Sequence, residues 1–67
     1  MMKIIINGKA KEISNEVNII ELLEKFSLPK ERIAIELNKH VVRKKDWENI
    51  KITNADQIEV IHFVGGG

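Results

Sequence analysis

The dipeptide Asn7-Gly8 is the feature that most restricts what this chain can fold into. It separates two short stretches, "KIII" and "KAKEI", each about the length of a β-strand. Both central positions of a type I′ turn require positive φ, and Asn-Gly is the favoured sequence there. The chain therefore predicts a hairpin at its start, with strands of about Met2–Ile6 and Lys9–Ile13.

One helix is predicted, in the stretch "NIIELLEKFSL". Asn18 is a favourable N-cap, and Glu21 three residues later completes the pattern of a capping box. Because proline cannot continue the hydrogen-bond ladder of a helix, we expect Ser27-Leu28-Pro29 to end it. The helix would present a broad apolar stripe to a sheet, made of Ile19, Ile20, Leu22, Leu23 and Phe26.

The second half of the chain predicts further strands. In "RIAIELN" apolar residues alternate with others, which indicates a half-buried strand with Ile33, Ile35 and Leu37 on one face. Asn38-Lys39-His40 then predicts a turn, and Val41-Val42 a short return strand. The stretch "RKKDWEN" predicts a helical turn with Trp47 beneath it, and after a turn at Asn54-Ala55-Asp56 the stretch "QIEVIHFV" predicts the last strand.

These elements predict an α+β fold. The first and last strands are the most apolar, so we expect both to lie centrally in the sheet. The order fits the β-grasp, or ubiquitin-like, arrangement: a mixed sheet of four to five strands with one main helix packed on one face. Residues 1–64 would form a single domain, and residues 65–67 a flexible C-terminal glycine tail.

Composition excludes several classes of function. Eleven basic and ten acidic residues leave a net charge of +1, which provides no field for nucleic acid or an anionic membrane. There is no apolar run long enough to span a bilayer and no signal peptide, so we expect a cytoplasmic protein. Cysteine is absent, which excludes disulfides, a thiolate nucleophile and cysteine-bound metals.

The sequence ends on "FVGGG", and three of its four glycines are its last three residues. The tail could be a frayed end, a flexible tether, or a chemical handle whose carboxylate reaches into another protein's active site. Glycine suits a handle, because a segment without Cβ atoms is thin and conformationally free. Four extended residues, Val64 to Gly67, would reach about 13–14 Å beyond the sheet.

A terminal carboxylate needs activation before it can take part in acyl transfer, because its oxygen is a very poor leaving group. Adenylation by ATP would convert it into a mixed anhydride that a sulfur nucleophile can attack. A partner enzyme would supply Mg²⁺, the phosphate contacts and the nucleophile. On this interpretation the chain binds no cofactor of its own and is a co-substrate, without catalytic residues.

The assembled features resemble the ThiS family of ubiquitin-like proteins, the sulfur carriers of thiamine biosynthesis. The resemblance covers the whole chain and lies in "INGK", "IAIELNKHVVRKKDW", "ADQIEV" and above all the ending "FVGGG". It implies that an E1-like adenylyltransferase activates Gly67, that the acyl adenylate becomes a thiocarboxylate, and that this group donates sulfur to thiazole synthase. Gly65 and Gly66 would carry Gly67 into both active sites.

The chain departs from the family pattern at one turn. The family commonly has Gly-Asp where this sequence has Ala55-Asp56. Alanine resists positive φ, so we expect the turn to differ in type, without consequence for function.

The last strand predicts a docking surface at the root of the tail. If Ile58 and Val60 face the helix, Ile61 and Phe63 share the opposite face with Glu59, and an apolar patch there could bind the adenylating enzyme and the synthase. The predicted docking residues are Ile5, Ile61, His62, Phe63 and Val64. A loop or a second copy covering this face is the alternative. A charge introduced at Ile61 or Phe63 should weaken binding and leave the fold intact.

Other candidate sites are weaker. His40 and His62 are isolated from other metal ligands in the sequence, so no metal site is predicted. Asp46 and Glu48 follow the basic run Arg43-Lys44-Lys45 directly, which indicates a solvated face. Three alternative functions remain: the sulfur carrier of molybdopterin synthesis (the small subunit of the synthase), a ubiquitin-like protein modifier, and a binding module with an inert tail, for example for RNA.

Overall fold

A five-stranded mixed sheet carries one helix on one face. The computed structural model describes residues 1–63. Its elements are β1 (Met2–Ile6), β2 (Lys9–Ile13), β3 (Val17–Asn18), α1 (Ile19–Lys25), β4 (Ile33–Leu37), β5 (His40–Val42), a 3₁₀ helix (Lys44–Asn49), β6 (Lys51–Ile52) and β7 (Gln57–His62).

The strand order is β2-β1-β7-β4-β5. The first and last strands of the chain, β1 and β7, lie in the interior of the sheet and run parallel, and the other neighbours are antiparallel. This confirms the predicted α+β, β-grasp architecture. A separate two-stranded sheet, β3 with β6, was not predicted.

The core lies between the sheet and α1. Alternate residues of the central strands enter it, among them Ile4 and Ile6 of β1 and Ile58 of β7. The helix contributes Ile19, Leu22 and Leu23, all fully buried. Trp47 is buried beneath the 3₁₀ helix, as predicted, and its Nε1–H donates a hydrogen bond of 3.1 Å to the carbonyl of Val42.

The helix begins and ends as predicted. Asn18 accepts from the backbone N–H of Glu21, whose side chain accepts from the backbone N–H of Asn18, so the capping box is complete. The segment Ser27-Leu28-Pro29 follows the end of the helix, as predicted, and the exit itself is made at Ser27. Ser27 takes φ of 55° and the N–H of Leu28 donates to the carbonyl of Leu23 at 2.8 Å, so the chain leaves the helix before the proline is reached.

Two hairpin turns have positive φ at both central residues. They are Asn7-Gly8, with 51° and 81°, and Asn38-Lys39, with 51° and 72°. The first confirms the prediction. In the second, His40 was predicted in the turn but is the first residue of β5, because a two-residue turn is already complete at Lys39.

Two further predictions are corrected. Ala55 has φ of 73°, so the expectation that alanine would avoid the left-handed region was wrong. Its N–H donates to the carbonyl of Lys3 at 2.7 Å, and the Asp56 carboxylate accepts from the N–H of Thr53 at 2.8 Å, so tertiary and local hydrogen bonds hold this conformation. The last strand ends at His62, whereas Val64 had been included in it; Val64 and the predicted glycine tail, residues 65–67, lie outside the described residues.

Within residues 1–63 there is no helix with the length and apolar character that a bilayer crossing requires.

Candidate functional site

The predicted site residues fall into two groups. Gly65, Gly66, Gly67 and Val64 lie outside the described residues. Ile5, Ile61, His62 and Phe63 are described, and all four are exposed. Most of the described candidates therefore lie on or next to β7, the strand that precedes residues 64–67.

The side of the sheet opposite α1, here called the open face, carries most of these residues. Along β7, Ile58 is fully buried and Val60 is half-buried against the core, whereas Glu59 and Ile61 point the other way. Ile61 is 42% exposed and Phe63, just beyond the strand, 56%. The predicted parity of the last strand is confirmed.

Strand register fixes which residues of the open face are neighbours. Ile61 lies opposite Ala34 of β4. The next pair of opposed residues on this face, further from the tail, is Glu59 with Glu36, here called the acidic rung. Ile5 of β1 stands beside Gln57, one rung further back. Ile61 is therefore flanked by an apolar neighbour, while the acidic rung separates it from Ile5.

His62 belongs to the other face of the sheet. It lies opposite Ile33, a residue of the core, and has the same parity as Val60. It is exposed because it stands at the end of the strand. The predicted docking residues thus do not form one patch: Ile61 is on the open face near the tail, Ile5 is further back on it, and His62 is on the opposite side.

Two hydrogen bonds donated by backbone N–H groups help to hold the strand end that precedes residues 64–67. The N–H of Phe63 donates to the carbonyl of Arg32 at 2.8 Å, which prolongs the pairing with β4 by one residue. The N–H of Val60 donates to the side-chain oxygen of Asn7 at 2.8 Å. The last described residue therefore has a defined position relative to the sheet.

Ala34 and Glu36 are the members of the open face that the sequence reasoning left out. The alternation in "RIAIELN" had already placed them on the face opposite Ile33 and Ile35. What was missing was the register between β4 and β7, which sets these two residues beside Ile61 and Glu59.

The remaining charged and metal-ligating candidates contribute little to a site. Within the described residues there is no group of three or more His, Cys, Asp or Glu side chains that could hold a metal ion. In the basic run, Lys44 lies 3.1 Å from Glu31 and Lys45 3.4 Å from Asp46, both on the exposed surface. These contacts agree with the predicted solvated face.

Comparison with known proteins assigns this geometry to a family. The model of the ThiS family matches residues 4–67. The sulfur carrier protein ThiS of Bacillus subtilis (strain 168) is 32% identical over 63 residues, which are 92% of this chain and 96% of that protein. The crystal structure of the thiamine biosynthesis protein ThiS from Geobacter metallireducens matches with a TM-score of 0.88 and 28% identity, over 98% of this chain and 100% of that one.

A longer relative is the thiazole synthase of Magnetococcus marinus (strain ATCC BAA-1437 / JCM 17883 / MC-1). It is 36% identical over 66 residues, which cover 98% of this chain and 20% of the synthase. This chain therefore corresponds to about one fifth of that protein's length.

Proposed function

The chain belongs to the ThiS family, and on that premise we propose that it is a sulfur carrier of thiamine biosynthesis that accepts sulfur on the carboxyl group of Gly67. The observation that carries the proposal is the extent of the family match, which runs from residue 4 through the three glycines. A match limited to the sheet and helix would support the fold alone. This one also includes the segment to which the chemistry is assigned.

The proposed chemistry has two steps. In the first, a carboxylate oxygen of Gly67 attacks the α-phosphorus of ATP in an E1-like adenylyltransferase, and pyrophosphate leaves with Mg²⁺ neutralising its charge. In the second, a sulfur nucleophile attacks the acyl carbon and AMP leaves. With hydrosulfide as the nucleophile the product is the thiocarboxylate directly. The catalytic groups belong to the partner, and this chain is a co-substrate that we propose acts in the cytoplasm.

Thiazole synthase is the proposed acceptor of the sulfur. The Magnetococcus marinus synthase contains, within one chain, a stretch similar to nearly all of this sequence. Joining two partners in one chain raises their effective concentration, which benefits proteins that act together. The same relative favours thiazole synthesis over the other two functions that share the terminal chemistry, molybdopterin synthesis and protein modification.

The open face near Ile61 is the proposed docking surface for both enzymes. Ile61, Ala34 and Phe63 give it an apolar character at the point where β7 leads to residues 64–67. Val64 to Gly67 can span at most about 13–14 Å, so a partner's active site must lie close to the place where it binds the domain. His62, on the other side of the sheet, would be peripheral to this contact, and Ile5 stands behind the acidic rung on the open face.

The test is an intact-mass measurement. The protein is incubated with ATP, Mg²⁺, a sulfur source and the E1-like enzyme of the same organism. We expect the mass change of one oxygen replaced by sulfur, and no change in a matched chain that lacks Gly67. A lysine-linked adduct would contradict the carrier proposal and indicate a modifier. Thiamine auxotrophy on deletion, without loss of molybdopterin, would support the thiazole pathway.

A further inference from the structure

Glu36 of β4 and Glu59 of β7 lie directly opposite each other on the open face. Directly opposed residues hold their Cβ atoms about 4.5–5.5 Å apart, and like charges at such positions weaken the pairing of the strands. Both strands are interior to the five-stranded sheet, and Glu36 is half-buried. Glu59 is exposed, and the two carboxylates stand in the middle of the face rather than at its edge.

Within the described residues, Glu36 and Glu59 form no ion pair with a lysine or arginine. The ion pairs within residues 1–63 are Lys30–Glu24, Lys44–Glu31 and Lys45–Asp46. By contrast, Glu12 on the same face lies directly opposite Lys3 of the neighbouring strand. Within residues 1–63 neither carboxylate of the acidic rung forms an ion pair, although Lys39 lies nearby on the same surface.

Apolar groups border the acidic rung on two sides. Ile61 forms the next rung towards the tail, and Ile5 stands one rung back. On the Ile5 side of the rung is a depression of about 480 Å³, whose lining includes Ile5, Gln57, Ile58 and both glutamates, with Lys39 also at its wall. A complementary ligand therefore needs an apolar stem and a cationic head.

We propose, on the basis of the docking function above, that the thiazole synthase inserts an arginine side chain between Glu36 and Glu59. The methylene stem would lie against Ile5 and the guanidinium would donate hydrogen bonds to both carboxylates. Arginine fits better than lysine, because its planar fork presents donors in directions that suit two carboxylates at once, whereas an ammonium is a single point charge.

Such a contact would set the orientation of the docked domain. Apolar contacts at Ile61 alone are non-directional, so they do not fix how the domain is rotated on its partner. A charged contact at one defined position is directional, so it would fix that rotation. With the rotation fixed, β7 would direct residues 64–67 into the synthase on each encounter.

The test measures the affinity for the thiazole synthase of the same organism by calorimetry at two salt concentrations. We expect the double variant Glu36→Gln/Glu59→Gln to bind roughly 10- to 100-fold more weakly, and to lose much of the salt dependence. The free double variant should melt at a higher temperature than the wild type, because the repulsion is gone. A contact that only stabilised the fold would not weaken binding while raising the melting temperature.

The matched control is Glu16→Gln/Glu48→Gln, which changes the net charge equally at exposed positions away from the rung. It should bind as the wild type does; an equal loss of affinity would attribute the effect to overall charge and overturn the arginine proposal. If the rung variant binds normally while Ile61→Lys does not, the arginine is wrong and the docking face stands. If neither changes the affinity, the docking face is wrong as well.

Discussion

The side-chain oxygen of Asn7 accepts a hydrogen bond of 2.8 Å from the backbone N–H of Val60. The parallel pairing of β1 with β7 covers Ile5 with Gln57 and Ile6 with Ile58, and β1 then leaves the sheet at Asn7, whose φ is 51°. The side chain of Asn7 thus prolongs the ladder by one bond after the backbone has turned away. One residue both forms the hairpin turn and holds the strand that leads to the tail.

Substitutions at Asn7 can separate these two roles. Asn7→Gly keeps the positive φ and loses the acceptor, so we expect a loss of about 1 kcal/mol in the free energy of unfolding. Asn7→Ala loses the acceptor and also resists positive φ, which adds about 1 kcal/mol. Urea unfolding followed by the fluorescence of the single tryptophan, Trp47, measures both.

Asn7→Asp is the matched control, because it keeps an acceptor oxygen and tolerates the left-handed region. It should unfold close to the wild type. Equal stability of Asn7→Gly and the wild type would show that the bond to Val60 contributes nothing.

Replacing Ala55 by glycine should stabilise the protein. Ala55 has φ of 73°, which costs a residue with a Cβ atom about 1–2 kcal/mol. Glycine removes this cost, but its greater freedom in the unfolded chain offsets part of the benefit. The expected net increase in the free energy of unfolding is therefore about 0.5–1 kcal/mol. Ala10→Gly, within β2, is the control and should destabilise. A lower melting temperature for Ala55→Gly would contradict the assigned backbone conformation.

Ser27 offers the same test at the end of the helix. It stands at the left-handed position after the C-cap Phe26, with φ of 55°, where glycine is the preferred residue. Ser27→Gly should raise the free energy of unfolding by about 0.5–1 kcal/mol. Ser14→Gly serves as the comparison, because Ser14 does not have positive φ and should lose stability on the same change. Thermal unfolding by circular dichroism distinguishes the two.

Features that depend on neighbouring residues in the sequence were predictable. The Asn7-Gly8 turn and the capping box of Asn18 and Glu21 each rest on chemistry within four residues, and both are as predicted. Ala55 was mispredicted because its conformation depends partly on a hydrogen bond to Lys3, far away in the sequence. Local propensity contains no information about such a bond.

The small sheet and the composition of the open face were missed for a related reason. β3 and β6 have two residues each, too few to show a period, and they pair Val17 with Ile52, far apart in the sequence. On the open face, alternation predicted which way Ile61 points but not which residues stand beside it. Its neighbours follow from the registers of three strands, and register is a long-range property.

The docking face yields the last prediction. Ile61→Lys should keep the fold, because the side chain is 42% exposed and the neighbouring rung is acidic. It should nevertheless weaken binding to the adenylating enzyme and to the synthase by about 10- to 30-fold, the effect of losing a central apolar contact and burying a charge in its place. Asn49→Lys adds the same charge at an exposed site on the 3₁₀ helix, which packs on the α1 side of the sheet, and should bind normally. Equal affinities for the two variants would place the docking surface elsewhere. His62→Ala would then test the opposite face, because His62 is the predicted docking residue exposed on that side.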